Sequence, residues 1–267
     1  MAISMEDNFA DVVGKAQRGG RLTDHDLAER AGISLAVLHR VQAGEFDAAV
    51  LRKLAPLLGL NSQALVALPH YRPVVADVPG LASFNSAYGQ MRVNSYLVWA
   101  EGAGDAAAFD TGTDCSAMLE ALRAHGLTLR AIFLTHTHGD HLADLDRLRG
   151  ETGAPVYVSH REPLSEAERF EEGREFAYGA LRIETRLTCG HSRGGTTYVI
   201  HGLERPVAMV GDAMYAGSMG GGMVSYADAL RTNREEILTL PPQTVLCPGH
   251  GPLTTVGLEQ VHNPFFA

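Results

Sequence analysis

Thr135-His136-Thr137-His138-Gly139-Asp140-His141 is the stretch that decides the fold. Four potential metal ligands fall within six residues, directly after the apolar run Ala131-Ile132-Phe133-Leu134. That run reads as a buried parallel strand. A strand that ends in ligands delivers them to the carboxyl edge of a sheet, where α/β folds keep their sites. Alternate residues of extended backbone share a face, so His136 and His138 are expected to point the same way. A turn at Gly139 lets Asp140 and His141 face a second point. The spacing suits two adjacent metals better than one. A merely polar loop is the bland alternative, but so compact a His/Asp set seldom arises without a metal.

Further along the chain, three more ligand positions each follow a predicted strand. His191 lies in Thr188-Cys189-Gly190-His191-Ser192-Arg193, Asp212 follows Val207-Ala208-Met209-Val210-Gly211, and His250 follows Thr244-Val245-Leu246-Cys247-Pro248-Gly249. Each is expected to converge on the same sheet edge. The opening motif resembles the H-x-H-x-D-H signature of the metallo-β-lactamase superfamily, and the later positions keep that family's order. The likeness runs over about residues 72–267 and implies an α/β fold, a four-layer αββα sandwich. It also implies a division of ligands. His136, His138 and His191 would hold a first metal, Asp140, His141 and His250 a second, and Asp212 would bridge them. All donors are N or O, so two divalent ions are expected, zinc first, with iron and manganese admissible.

The tail from Pro252 through Phe266 resembles the glyoxalase II-like hydrolases. That branch implies cleavage of a small thioester or ester by a metal-bridging hydroxide, with Asp140 as the candidate catalytic residue. Two cations outweigh Asp140, Asp212 and a hydroxide, so an anionic acyl substrate is expected, with Arg193 as its candidate contact. Glutathione is not the expected handle. Both lysines, Lys15 and Lys53, lie near the N-terminus, and nothing matches that branch's basic helical extension. The run Gly217 to Met223 reads as a flexible apolar rim. Two alternatives stand beside the hydrolase. One is a persulfide dioxygenase, similar in fold, with one iron on His136, His191 and Asp212; the other is a DNA-binding regulator with a sensing metal domain.

Residues 1–70 read as a small helical domain, and 71–267 as the metal domain. Thr23 and Ser34 are candidate N-caps, and Leu51, Leu54, Leu57 and Leu58 form an apolar helical face. Leu27 through Ser34, with Leu38 and Gly44, looks like the helix-turn-helix of Cro-type phage-repressor domains. Its reading helix would open with Leu35 and Ala36, which cannot hydrogen-bond a base edge. Seven basic residues face eight acidic ones here, which leaves little to neutralise phosphates. DNA binding is therefore not expected, and packing or homo-oligomer formation is the expected role. Removing residues 1–68 is expected to leave hydrolysis measurable.

The net charge of −9 argues against general nucleic-acid binding, and no apolar run is long enough for a membrane span. Three scattered cysteines do not make a disulfide framework, and the acidic start is unlike a signal peptide, so a cytoplasmic setting is expected. Val74-Val75 is read as a short strand after the boundary prolines.

Overall fold

A computed structural model describes residues 3–267. Five helices come first: α1 Phe9–Gly19, α2 Asp24–Ala31, α3 Leu35–Gln42, α4 Ala48–Leu57 and α5 Ser62–Ala67. Side-chain caps set most of their starts. Asn8 and Asp11 form a reciprocal capping box on α1, and Thr23, Ser34, Asp47 and Asn61 each accept a backbone N–H at the head of the next helix. Gly32 ends α2 in the left-handed conformation, which costs a glycine little.

Beyond them two six-stranded sheets stack. The first runs β1 Leu81–Tyr88, β2 Met91–Trp99, β3 Asp105–Phe109, β4 Thr128–Phe133, β5 Val156–Ser159 and β6 Glu168–Phe170, in that spatial order. The second contains β7 Glu175–Tyr178, β8 Leu181–Leu187, β9 Thr196–His201, β10 Val207–Gly211, β11 Val245–Pro248 and β12 Thr254–Thr255, again in sequential order. Both sheets are mixed. β4 pairs in parallel with β3 and β5, and β10 pairs in parallel with β11. Strand alternation separates the faces. Val98, Phe109, Phe133, Ile183, Tyr198 and Met209 fill the layer between the sheets. Leu97, Ala108 and Ile132 face outward onto α6 (Ser116–Ala124) and α8 (Leu145–Thr152). On the far side Val199, Ala208 and Leu246 pack against Ile237, Leu240 and Val256, the last at the head of α10 (Val256–His262).

One expectation fails here. Val74-Val75 is not a strand, because Pro73 removes a ladder donor beside it; Val74 is 88% exposed, and only Val75 packs inward. The helical segment shares its core with the metal domain. Its core (Val12, Val13, Leu51, Leu54, Leu65, Leu68) is one cluster with Ala216, Met219, Ala229 and Phe265 of the later chain. Buried Glu259 reinforces that seam. It accepts from Tyr71 Oη, Thr254 Oγ1, the Gly217 N–H and Asn263 Nδ2. Among the described residues, no helix is long and apolar enough to cross a membrane.

Candidate metal centre

Every ligand position lies at a strand's carboxyl end. His136 and His138 follow β4; Asp140 and His141 sit on the single turn α7 (Gly139–Leu142). His191 leaves β8, Asp212 follows β10 and His250 follows β11. Close approach of the two sheets brings these ends together. Gly211 is in the left-handed region, and a Cβ there would meet Thr135 Oγ1 at 2.5 Å. The Thr196 N–H donates to Thr135 O at 2.9 Å across the same gap.

The side chains fall into two groups, His136–His138–His191–Asp212 and Asp140–His141–His250, each with donor atoms within 4.8 Å of one another. Asp212 stands between them. Its Oδ2 is 3.3 Å from His191 Nε2 and 3.5 Å from His250 Nε2, and its Oδ1 is 3.2 Å from His141 Nε2. Asp140 Oδ2 lies 3.3 Å from His250 Nε2.

Backbone and carboxylate acceptors fix the tautomers. His191 Nδ1 donates to Gly221 O at 3.0 Å, and His250 Nδ1 donates to Arg92 O at 2.7 Å. His141 Nδ1 donates to Asp110 Oδ2 at 2.8 Å. Thr135 Oγ1 gives its proton to Asp110, so it accepts from His136 Nδ1. Nε2 of all four rings therefore points inward, where a cation can take the place of a proton. His136 Nε2 and His191 Nε2 each approach His138 Nδ1 to 3.0 Å. One proton on His138 cannot serve both contacts, whereas one cation serves all three nitrogens. The spacing is close to the about 3.3 Å expected for imidazoles sharing one tetrahedral zinc with bonds of about 2.0 Å. In the second group His141 Nε2 and Asp212 Oδ1 are buried without hydrogen-bond partners. The donor set fits two divalent cations.

The titration behaviour points the same way. Burial opposes charge on His141 and His250, but carboxylates overcome it. Asp212 and Asp110 raise His141 to about 10, and hydrogen bonds to Asp140 and Asp212 raise His250 to about 11. Burial keeps His136 well below the usual histidine range and lowers His191. Burial would raise Asp212, yet His141 leads the groups that hold it well below the carboxylate range. The pocket asks for positive charge between its carboxylates.

A model of the metallo-β-lactamase superfamily matches residues 88–250. The chain belongs to that superfamily. A probable metallo-hydrolase of Bacillus subtilis (strain 168), YqgX, is 30% identical over 203 residues, covering 66% of this chain and 93% of that protein. A hydroxyacylglutathione hydrolase of Cereibacter sphaeroides (strain ATCC 17029 / ATH 2.4.9) is 31% identical over 160 residues, covering 58% of this chain and 61% of that enzyme. The crystal structure of the BLEG-1 B3 metallo-β-lactamase superposes with a TM-score of 0.62 at 28% identity, over 70% of this chain and all of that one. The superfamily is one of metal-dependent, usually hydrolytic enzymes, and the matched region contains all seven His/Asp positions.

The sequence reading gave no role to several residues that serve the site. Asp110 collects His141, Thr135 Oγ1 and the Thr135 N–H. Glu162 joins two ligand loops by accepting from Thr137 Oγ1 at 2.6 Å and the Gly194 N–H at 2.7 Å. Tyr215, buried, sets its ring 5.6 Å from that of His250. An aspartate ending an apolar strand is a usable signal for Asp110; Glu162 and Tyr215 carry none. Arg193 is exposed on the His191 loop. The expected flexible rim is corrected. Ala216 through Gly220 are buried, and glycine is there for close approach: a Cβ on Gly220 would sit 1.9 Å from Asp212 O and 2.9 Å from His191 Nδ1. Only the far end of the run keeps an apolar lip, with Met223 75% exposed. His262 stacks on Tyr71, and His160 pairs with Glu171. Burial raises the thiols of Cys115, Cys189 and Cys247, which opposes thiolate formation.

Proposed function

We propose that the protein is a binuclear metal-dependent hydrolase of small acyl thioesters or esters. The observation that carries the reading is the second group's completeness: Asp140, His141 and His250 converge, and His141 Nε2 and Asp212 Oδ1 are buried and unpartnered. His136, His138 and His191 would hold one ion, Asp140, His141 and His250 the other, with Asp212 shared. When bound, the two ions supply a nucleophilic hydroxide at neutral pH and Lewis-acid polarisation of the acyl oxygen.

The chain's own part is positioning and proton handling. Asp110 holds His141 and, through Thr135, His136 in the tautomer that presents Nε2. Gly221 O and Arg92 O do the same for His191 and His250. Asp140, whose Oδ2 lies 3.3 Å from His250 Nε2, would be a ligand of the second ion, and its other oxygen would then be the one free to accept and return the proton moved during acyl transfer. Exposed Arg193, two residues beyond His191, would meet a substrate carboxylate on that side. The apolar lip at Met223 and Val224 suits a compact acyl group.

A dioxygenase with one iron would leave the second group without a purpose, which favours hydrolysis. For the helical segment we propose a packing role rather than DNA reading. Asp24 accepts from Gln17, Gln42 and His39, so the polar side chains around α2 and α3 are engaged with one another. A panel of thioesters, esters, lactones and a β-lactam, run with zinc- and iron-loaded protein, tests the function. Oxygen consumption with a persulfide and no hydrolysis of any member would replace this reading with the dioxygenase.

A further inference from the structure

The segment before α1 packs against the loop that carries His250. Gly251, next to His250, is packed so tightly against that segment that a Cβ there would lie 3.2 Å from Glu6 N and 3.5 Å from Glu6 Cβ. Glu6 is anchored on both sides. Met5 Cε would meet a Cβ on Gly217 at 3.3 Å, and Asp7 accepts from Ser218 Oγ and Lys15 Nζ. Lys15 in turn donates to Met219 O at 2.8 Å and lies 4.9 Å from the centroid of the Tyr215 ring, which packs on His250. The lysine that the sequence assigns to a separate helical domain thus abuts the centre, with its charge already taken up by Asp7. Glu6 has no such partner among the described residues. Glu6 is half-buried beside Gly251, one residue from His250.

We propose that Glu6 is a specificity-determining residue: its carboxylate on the His250 side of the mouth excludes anionic groups there and favours a neutral or ammonium-bearing arm. The inference builds on the hydrolase reading and narrows its substrate. A substrate carboxylate then belongs on the Arg193 side, and the arm facing the N-terminal segment carries no negative charge. A fixed charge at the rim of a cleft acts through field and desolvation, so it discriminates between ligands of equal size.

The test uses full-length protein loaded with cobalt(II), whose visible spectrum reports thiolate binding without turnover. Wild type, Glu6→Gln and Glu6→Ala are titrated with 2-aminoethanethiol and with mercaptoacetate, at low and high salt. The same three proteins are assayed with thioesters that share one acyl group but carry an amine, an amide or a carboxylate on the thiol arm. Wild type is expected to prefer the amine over the carboxylate, and both variants to reduce that preference by about fivefold, as does high salt. Circular dichroism and metal content check that each variant is folded, and agreement between glutamine and alanine excludes a local rearrangement. An unchanged preference in both folded variants overturns the assignment of Glu6, even if thioesters are cleaved. A shifted thiol preference with no thioester cleaved supports Glu6 and rejects the hydrolase reading instead.

Discussion

Asp110 Oδ2 accepts the proton of His141 Nδ1 at 2.8 Å, with both side chains buried and Asp110 held at φ 54°. The same carboxylate takes the Thr135 hydroxyl proton and the Thr135 N–H. Asp110 thus orients a ring in each ligand group while touching neither proposed ion.

Replacing Asp110 by asparagine keeps the left-handed backbone, which asparagine tolerates, but turns an amide N–H₂ toward donors. If Oδ1 keeps the Thr135 N–H, then Nδ2 faces both His141 Nδ1–H and Thr135 Oγ1–H. Asp110→Asn is expected to cost about 10- to 100-fold in metal affinity or activity, as loss of an orienting carboxylate does. Elemental analysis and kcat measured at fixed free metal check it. Wild-type metal content and rate in the variant would remove Asp110 from the design of the site.

Asp212 stands between the two groups and would be shared by both proposed ions, so its loss should not be local. Asp212→Ala is expected to lose most of both metals, whereas His138→Ala should chiefly weaken the first. Protein purified without chelator should hold close to two ions per chain. One iron per wild-type chain, with no second site on titration, would contradict the binuclear assignment.

Glu162 ties the His136–His141 loop to the His191 loop through Thr137 and Gly194. A glutamine there keeps one acceptor oxygen and places an N–H₂ against a donor in a buried position. Glu162→Gln should lower stability by about 1–3 kcal/mol, the usual range for a buried group left unsatisfied. Urea unfolding of the chelated protein reads this directly. A change confined to the metal-loaded form would show that Glu162 acts on the ions rather than on the loops.

His136, Asp212 and His250 were legible because each follows an apolar run that ends at a sheet edge, whereas His191 follows β8, whose residues alternate apolar and polar. The helix starts were legible for a similar reason, since Thr23 and Ser34 act through short-range hydrogen bonds that need no tertiary partner. Contacts between distant segments left no such trace. Glu162 meets Gly194, Glu259 meets Tyr71, and Lys15 meets Met219 only once the chain has folded. The glycines of 217–222 were misread for the same reason. Composition alone suggests freedom, while the packing leaves no room for a Cβ on Gly217, Gly220 or Gly222.

A methyl at Gly249 would lie 2.2 Å from Asp212 Oδ1 and 2.5 Å from His141 Cε1, both in a rigid part of the site. Gly249→Ala should therefore displace the shared carboxylate rather than be absorbed by it, with loss of activity and of the second metal. A variant that binds two ions normally would show that the β11 loop can yield.

The last prediction concerns removal of residues 1–68. Deletion strips Val12, Val13, Leu54, Leu65 and their neighbours from a cluster that also buries Ala216, Met219, Ala229 and Phe265. It also removes Glu6 from beside Gly251, and Lys15 and Asp7 from the Met219–Ser218 turn. Burial of each large apolar side chain is worth about 1.5–3 kcal/mol, so exposing the residual face should leave the truncated chain poorly soluble. Since Gly220 on that loop backs onto Asp212 and His191, metal content should fall as well. Size-exclusion chromatography and metal analysis of the deletion, beside the full chain, decide the matter. A soluble, two-metal truncation with full hydrolytic rate would restore the picture of two separable domains.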